Sequence, residues 1–206
     1  MLRGAMAAST YTTSVGSQTV ELPLVALSDE LTIALLISVD MGVAFSETAG
    51  RELAELMRPA APDIVVSVAT MGIPLAIEAS RALGLDDYVI LHKTPKIHLG
   101  ESWAEPVFSI TTDKPQKLRM DPARVDAVRG RRVAVVDDVV STGASLSSAL
   151  RLVRRMEAEP VVIGTMMTEG GAWKRALGDD AALVRTLGAM PLFHPDGAGG
   201  LVEDWD

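Results

Sequence analysis

The segment Val133-Ala134-Val135-Val136-Asp137-Asp138-Val139-Val140-Ser141-Thr142-Gly143-Ala144-Ser145 carries more information than any other in this 206-residue chain. Its four leading apolar residues show no polar alternation, the mark of a strand buried on both faces and covered by helices above and below. Two adjacent carboxylates follow, then Ser-Thr-Gly-Ala-Ser opening a helix. Small residues at such a turn let backbone N–H groups approach a phosphate, and the positive end of the helix adds to the attraction. Ser141, Thr142 and Ser145 can donate hydroxyl hydrogen bonds to the same oxygens. The acids sit at the carboxyl end of the strand, where α/β sheets take up ligands. A carboxylate repels phosphate, so the expected partners of Asp137 and Asp138 are sugar hydroxyls, or Mg²⁺ held directly or through water. An ordinary strand–turn–helix with a solvated acid pair is the plain alternative, but it does not require these elements in this order.

Outward from this segment the pattern is regular. Residues 64–68 read as a buried strand, followed by the turn Ala69-Thr70-Met71-Gly72 and a helix with Pro74 in its first turn and Gly84 at its end. Residues 88–91, 132–136, 161–166 and 182–186 read as strands, with a helix over 143–156. This alternation predicts an α/β fold with a doubly wound, mainly parallel sheet. Upstream, residues 20–27 and 31–39 read as a hairpin around Ser28-Asp29-Glu30. Ser46 is placed to cap a helix whose apolar face holds Ala49, Leu53, Leu56 and Met57. Residues 1–18 are small and polar and read as a disordered tail, which leaves 19–206 as a single domain. Residues 94–117 form a long polar stretch with Gly100 and an exposed-looking Trp103, and residues 109–112 and 117–120 resemble two flanking strands. Loops of that length are functional or disordered.

Composition narrows the classes of function. Hydrophobic residues make up 48% of the chain, enough for a large core. The formal net charge of −8 argues against a nucleic-acid or anionic-membrane partner, while a local anion site remains compatible with it. There are no cysteines, which removes disulfides and thiolate metal sites and fits a cytoplasmic location. The longest apolar run, residues 31–39, is too short to span a bilayer.

The segment 133–145 resembles, over its whole length, the signature by which type I phosphoribosyltransferases bind 5-phosphoribosyl-1-pyrophosphate (PRPP). Adenine, xanthine and orotate phosphoribosyltransferases and the purine repressor carry signatures of this type. The likeness covers roughly residues 45–170, and the whole-chain pattern is closest to adenine phosphoribosyltransferase-related proteins. It implies that Asp137 and Asp138 hold the ribose hydroxyls and serve catalysis and Mg²⁺. It further implies that Asp137, Asp138, Val139, Ser141, Thr142, Gly143, Ala144 and Ser145 bind PRPP. The turn 69–72 corresponds to the family's pyrophosphate loop, with Thr70, Met71 and Gly72 as its binding residues. Adenine phosphoribosyltransferases place an acid and an arginine there, whereas this chain has Ala69 and Met71. Lys93 corresponds to a lysine that touches pyrophosphate, and His92 matches by position only.

The same resemblance makes residues 94–117 a loop that closes over the site, with Lys96, His98, Glu101, Glu105 and Lys114 available to it. Hypoxanthine-guanine enzymes have an aspartate where this chain has Ser141, which points away from that subgroup. A variable hood that selects the base is expected from residues 20–45, with a contribution from 190–206. The implied activity is Mg²⁺-dependent transfer of the phosphoribosyl group to a nucleobase, a purine with adenine first, with release of pyrophosphate by a homodimer. A PRPP-binding regulator without transferase activity is the alternative.

Overall fold

The computed structural model describes residues 10–95, 97, 103–107 and 116–206. In chain order the elements are β1 (Thr10–Val15), β2 (Gln18–Ala26), β3 (Thr32–Ala34), α1 (Val43–Met57), β4 (Ile64–Val68), α2 (Gly72–Leu83), β5 (Tyr88–Leu91), β6 (Ala104–Val107), β7 (Gln116–Arg119) and α3 (Val125–Val128). They continue with β8 (Arg132–Val140), α4 (Ala144–Arg155), β9 (Glu159–Glu169), α5 (Ala172–Leu177), β10 (Val184–Met190), β11 (Leu192–Pro195) and β12 (Leu201–Asp204).

Among the described residues, five strands form a wholly parallel sheet in the order β10-β9-β8-β4-β5. Alternate residues of its central strands feed two separate cores. Val66, Val133, Val135 and Ile163 pack on one face with Leu146, Leu150 and Val153 of α4. Val65, Ala134, Val136 and Val162 pack on the other with Leu53 and Met57 of α1 and Leu75 and Ala79 of α2. Strands apolar at every position are the consequence of this two-sided burial. The fold class predicted from the sequence is the one observed.

Helix α1 begins at Val43, earlier than the sequence suggests, with Gly42 as its N-cap. Ser46 lies inside the first turn, where its hydroxyl donates to the Gly42 carbonyl. Ala49, Leu53 and Met57 are fully buried, but Leu56 is 42% exposed and stands off that face. Gly50 is where α1 meets α2, since a Cβ there would lie 2.4 Å from the Cβ of Glu78.

The second sheet joins the two ends of the chain. Strands β1, β2, β3, β11 and β12 pair antiparallel in that order among the described residues. Residues 10–18 are therefore not a disordered tail; residues 1–9 of that expected tail lie outside the described residues. Val15, Val20 and Leu22 enter the core, and Tyr11 packs edge-on against Phe193 with ring centroids 5.2 Å apart. Across the two sheets, the Gly16 amide donates to the Leu187 carbonyl at 2.9 Å, and the Ser17 hydroxyl donates to the Glu52 carboxylate of α1. Sequence reading missed β1 although its ladder partner is the adjacent β2, because its exposed face carries only Thr10, Thr12 and Ser14. The long strand expected over 31–39 shrinks to Thr32–Ala34, and a 3₁₀ turn occupies Ser38–Asp40.

Strands β6 and β7 form a two-stranded antiparallel ribbon, pairing Ala104 with Arg119 and Val107 with Gln116. The flanking strand expected at 109–112 lies outside the described residues, and the observed partner of β7 is four residues long and contains Pro106. Trp103 is not exposed: it packs against the core with the Arg155 guanidinium 5.8 Å from its ring centre. Glu105 is turned away to α4, bound to Arg151 and Arg155. Lys96, His98, Glu101 and Lys114 lie outside the described residues. Among the described residues no helix is long and apolar enough to cross a membrane.

Candidate functional site

The topology fixes where a ligand can enter. From β4 the chain runs outward through α2 to β5; from β8 it runs through α4 in the opposite direction to β9. Strands β4 and β8 are neighbours, so the turns that follow them leave on opposite faces and a crevice opens between them at the carboxyl edge. A cleft of about 610 Å³, counting its solvent-filled mouth, lies there. Its walls are residues 68–71 after β4, Lys93 after β5, and the continuous run 137–146. All the expected PRPP-binding positions, together with Thr70, Met71 and Lys93, therefore share one cleft.

The run 141–145 is shaped by a glycine. Gly143 has φ +77°, a left-handed conformation costly for other residues, and serves as N-cap of α4. A Cβ there would sit 3.0 Å from Ala176 Cβ and 3.1 Å from Trp173 Cα, so α5 packs directly against the turn. The Ser147 hydroxyl extends this buttress by donating to the Ala176 carbonyl at 3.0 Å. Gly143 offers α4 no side-chain cap, the Ala144 amide donates to Thr142 Oγ1 at 3.4 Å, and the first turn contains no acid. The amides that follow Ala144 and the positive end of the helix are thus available to an anion.

Strand β8 does not stop at Val136 but continues to Val140, because the long β9 supplies ladder partners for Asp137 (Thr165), Val139 (Met167) and Val140 (Thr168). On the other side β4 pairs only as far as Val136 and then turns away. The acids therefore lie where one neighbouring strand has left the sheet. Asp137 is only 8% exposed. Burial holds its carboxyl well above the usual carboxylate range; the charge of Asp138 pushes the same way and Lys93 opposes both. Burial also raises Asp138, against hydrogen bonds that include the Val139 amide and Ser38. Two buried carboxyls reluctant to ionise together suit a divalent cation, which would supply the missing positive charge. Oxygen donors of this kind fit Mg²⁺, bound by one or two carboxylates and completed by substrate and water oxygens. Among the described residues there is no grouping of three or more His, Cys, Asp or Glu side chains able to hold a metal alone.

The first turn is built differently. Gly72 does not line the cleft but lies beneath it: a Cβ there would meet Ser67 Oγ at 2.4 Å and Asp137 Oδ1 at 3.0 Å. The glycine lets the start of α2 approach the acid. Helix α2 also lacks a side-chain cap. Pro74 stands in its first turn, where its missing N–H costs no hydrogen bond. Lys93 follows β5, and Arg119 donates to its carbonyl at 3.3 Å. His92 pairs through its backbone with Arg119 in both directions, at 2.8 and 2.9 Å.

Three residues at this site escaped the sequence reading. Ser38 is fully buried, donates to the Met71 carbonyl at 2.8 Å, and lies 3.4 Å from Asp138 Oδ2. Ser67 is fully buried beneath the acids, its hydroxyl without a hydrogen-bond partner. Glu169, at the carboxyl end of β9, is 6% exposed, and burial raises its carboxyl above the usual range against a hydrogen bond from Ser141. An acid ending an otherwise apolar strand was a signal for Glu169; nothing local marked Ser38.

A parallel α/β domain with its crevice at the switch point between two neighbouring strands belongs to the doubly wound ligand-binding architectures. The model of the phosphoribosyl transferase domain matches residues 46–187, and the chain belongs to that family. The match begins in α1 and ends in β10, so β1, β2, β3, β11 and β12 lie outside it. Orotate phosphoribosyltransferase of Caldanaerobacter subterraneus subsp. tengcongensis is 32% identical over 123 residues, covering 60% of this chain and 53% of that protein. The transcriptional regulator GfcR of Methanosarcina mazei is 28% identical over 110 residues, covering 53% of this chain and 47% of its own length. The chain thus spans about half the length of these curated relatives. Adenine phosphoribosyltransferase from Rhodothermus marinus shares the fold with a TM-score of 0.60 at 23% identity, over 71% of this chain and 80% of that one.

Proposed function

We propose that this chain transfers a phosphoribosyl group from PRPP to a nucleobase. The observation that carries the proposal is the convergence in one cleft of the acid pair with two helix N-termini whose N-cap residues supply no side-chain cap. PRPP has two anionic ends separated by a sugar. The hydroxyl-rich run 141–145 suits the 5-phosphate, Asp137 and Asp138 suit the sugar hydroxyls, and the turn 69–72 with Lys93 suits the pyrophosphate. In the reaction the bond from C1 to the pyrophosphate oxygen breaks and a bond from C1 to a base nitrogen forms. The N–H proton of the base leaves to pyrophosphate or solvent. Charge develops on C1 and on the departing oxygens, so the residues contribute by fixing the sugar and stabilising the leaving group. Asp137 and Asp138 are the residues that would hold Mg²⁺, which supplies charge neutralisation for pyrophosphate.

Adenine is the first base to test, since Ser141 stands where 6-oxopurine enzymes carry an aspartate; the orotate-specific relative makes orotate the second. The antiparallel sheet built from both chain ends is the candidate hood for base selection, and a homodimer is the expected assembly. The test is release of pyrophosphate from PRPP and Mg²⁺ with adenine, guanine, hypoxanthine, xanthine and orotate supplied in turn. At least one base should give nucleotide and pyrophosphate in equal amounts. The likeness to GfcR and the presence of Ala69 and Met71 in the first turn favour a second reading, a PRPP-binding regulator. Tight PRPP binding with no base consumed would establish that reading and overturn the first.

A further inference from the structure

Ser38 is buried where its neighbours are not. It opens the 3₁₀ turn Ser38–Asp40, which leads from β3 of the antiparallel sheet into α1, and it lies outside the residues 46–187 that match the family. Val39 is 41% exposed and Val43 81% exposed, while Ser38 is fully buried. This segment therefore points a hydroxyl inward and leaves two valines outside, the reverse of what hydrophobic burial favours. A buried hydroxyl is costly unless it is hydrogen-bonded, and the groups that Ser38 meets both belong to the candidate site. Its Oγ donates to the Met71 carbonyl at 2.8 Å, in the turn after β4, and stands 3.4 Å from Asp138 Oδ2, near the end of β8.

One side chain thus touches both halves of the cleft. A ligand with its pyrophosphate at the turn 69–72 and its sugar hydroxyls at the acids gains from both only if the two are held at a matching distance. Two features close the gap between them. Gly72 lets the start of α2 approach Asp137 from within the parallel domain. Ser38 reaches the other acid from the antiparallel sheet, through a hydrogen bond and a polar contact instead of close packing. We propose that Ser38 is a positioning residue that sets the distance between the pyrophosphate turn and Asp138. PRPP binding then depends on a segment outside the family's common domain, without that segment touching the sugar or the pyrophosphate. This inference rests on the reading of residues 69–72 and 137–145 as the two halves of a PRPP site.

The experiment is calorimetric titration of the full chain and of Ser38→Ala with PRPP, ribose 5-phosphate and inorganic pyrophosphate, each with Mg²⁺. The two smaller ligands are read by displacement of PRPP. PRPP spans both halves of the site, whereas each smaller ligand occupies one. Ser38→Ala should weaken PRPP by about tenfold, the scale of one hydrogen bond to a charged group. It should weaken each smaller ligand by less than about threefold, because neither needs the two halves in register. A serine that merely supports the fold would give a different pattern, a lower melting temperature with equal losses for all three ligands. Should Ser38→Ala be too unstable to titrate, Ser38→Cys, of similar size with only a weak S–H donor, is scored in the same way. Unchanged PRPP affinity, or a loss for either smaller ligand as large as that for PRPP, overturns the inference and leaves the PRPP site standing. Absence of PRPP binding to the wild type overturns both.

Discussion

Two turns at the same sheet edge solve the same problem in different ways. Both follow a buried parallel strand and both open a helix whose N-cap residue supplies no side-chain cap. The turn after β8 is built from hydroxyls and a left-handed glycine pressed against Trp173 and Ala176. The turn after β4 offers little side-chain chemistry: Ala69, Thr70 and Met71 line the cleft, and Gly72 serves to let the helix approach Asp137. One turn is specified by many residues that must coincide, the other mainly by backbone. A ligand group held by the first should depend on individual side chains, whereas one held by the second should depend on helix position and on Lys93.

The largest expected effect falls on the acids shared by both turns. Asp137→Asn with Asp138→Asn should weaken PRPP binding by about 2–4 kcal/mol, the scale of losing charged hydrogen bonds. Calorimetry with PRPP and Mg²⁺ measures this; unchanged affinity would remove the acids from the site. The same substitutions should stabilise the ligand-free protein at neutral pH. Asp137, Asp138 and Glu169 each hold their proton to higher pH when folded than when unfolded. The folded state therefore binds more protons, and stability falls as pH rises from the unfolded carboxylate value of about 4 through the raised folded values. Urea midpoints should drop for wild type between pH 5 and pH 7.5. The double variant should show a shallower drop and be about 1–3 kcal/mol more stable at pH 7.5. A double variant as pH-sensitive as wild type would contradict the assigned cause.

Exchanging the two glycines sharpens the comparison. Gly143→Ala forces a side chain into a left-handed conformation against packed backbone, and should cost about 1–3 kcal/mol of stability together with phosphate affinity. Gly72→Ala has no such backbone penalty, yet its methyl would crowd Ser67 and Asp137. Its loss should appear mainly in PRPP binding, with a smaller shift in melting temperature. Similar melting temperatures for the two variants would show that the turns are not built differently. The smallest effect is expected at the exposed Lys93. Lys93→Ala should weaken PRPP by roughly 1 kcal/mol, on the scale of an exposed charge contact, and leave ribose 5-phosphate unaffected. Equal losses for both ligands would move Lys93 away from the pyrophosphate.

The legible parts of this protein were those whose cause is local. An apolar run, two acids and a small-residue turn are contiguous, so residues 133–145 announced the strand, the helix and the candidate anion site together. The alternation around them implied the parallel sheet, because a strand apolar on both faces requires helices on both sides. What the chain order could not show was which neighbour each residue meets. Leu56 is exposed because α2 and the sheet engage a different stripe of α1. Asp137 and Asp138 lie inside a strand because β9 continues past the point where β4 departs. Ser38 reaches Asp138 across 100 residues of sequence. Local sequence set the backbone conformations; tertiary packing decided which charges were buried together, since desolvation depends on every neighbour in space and on few of those in sequence.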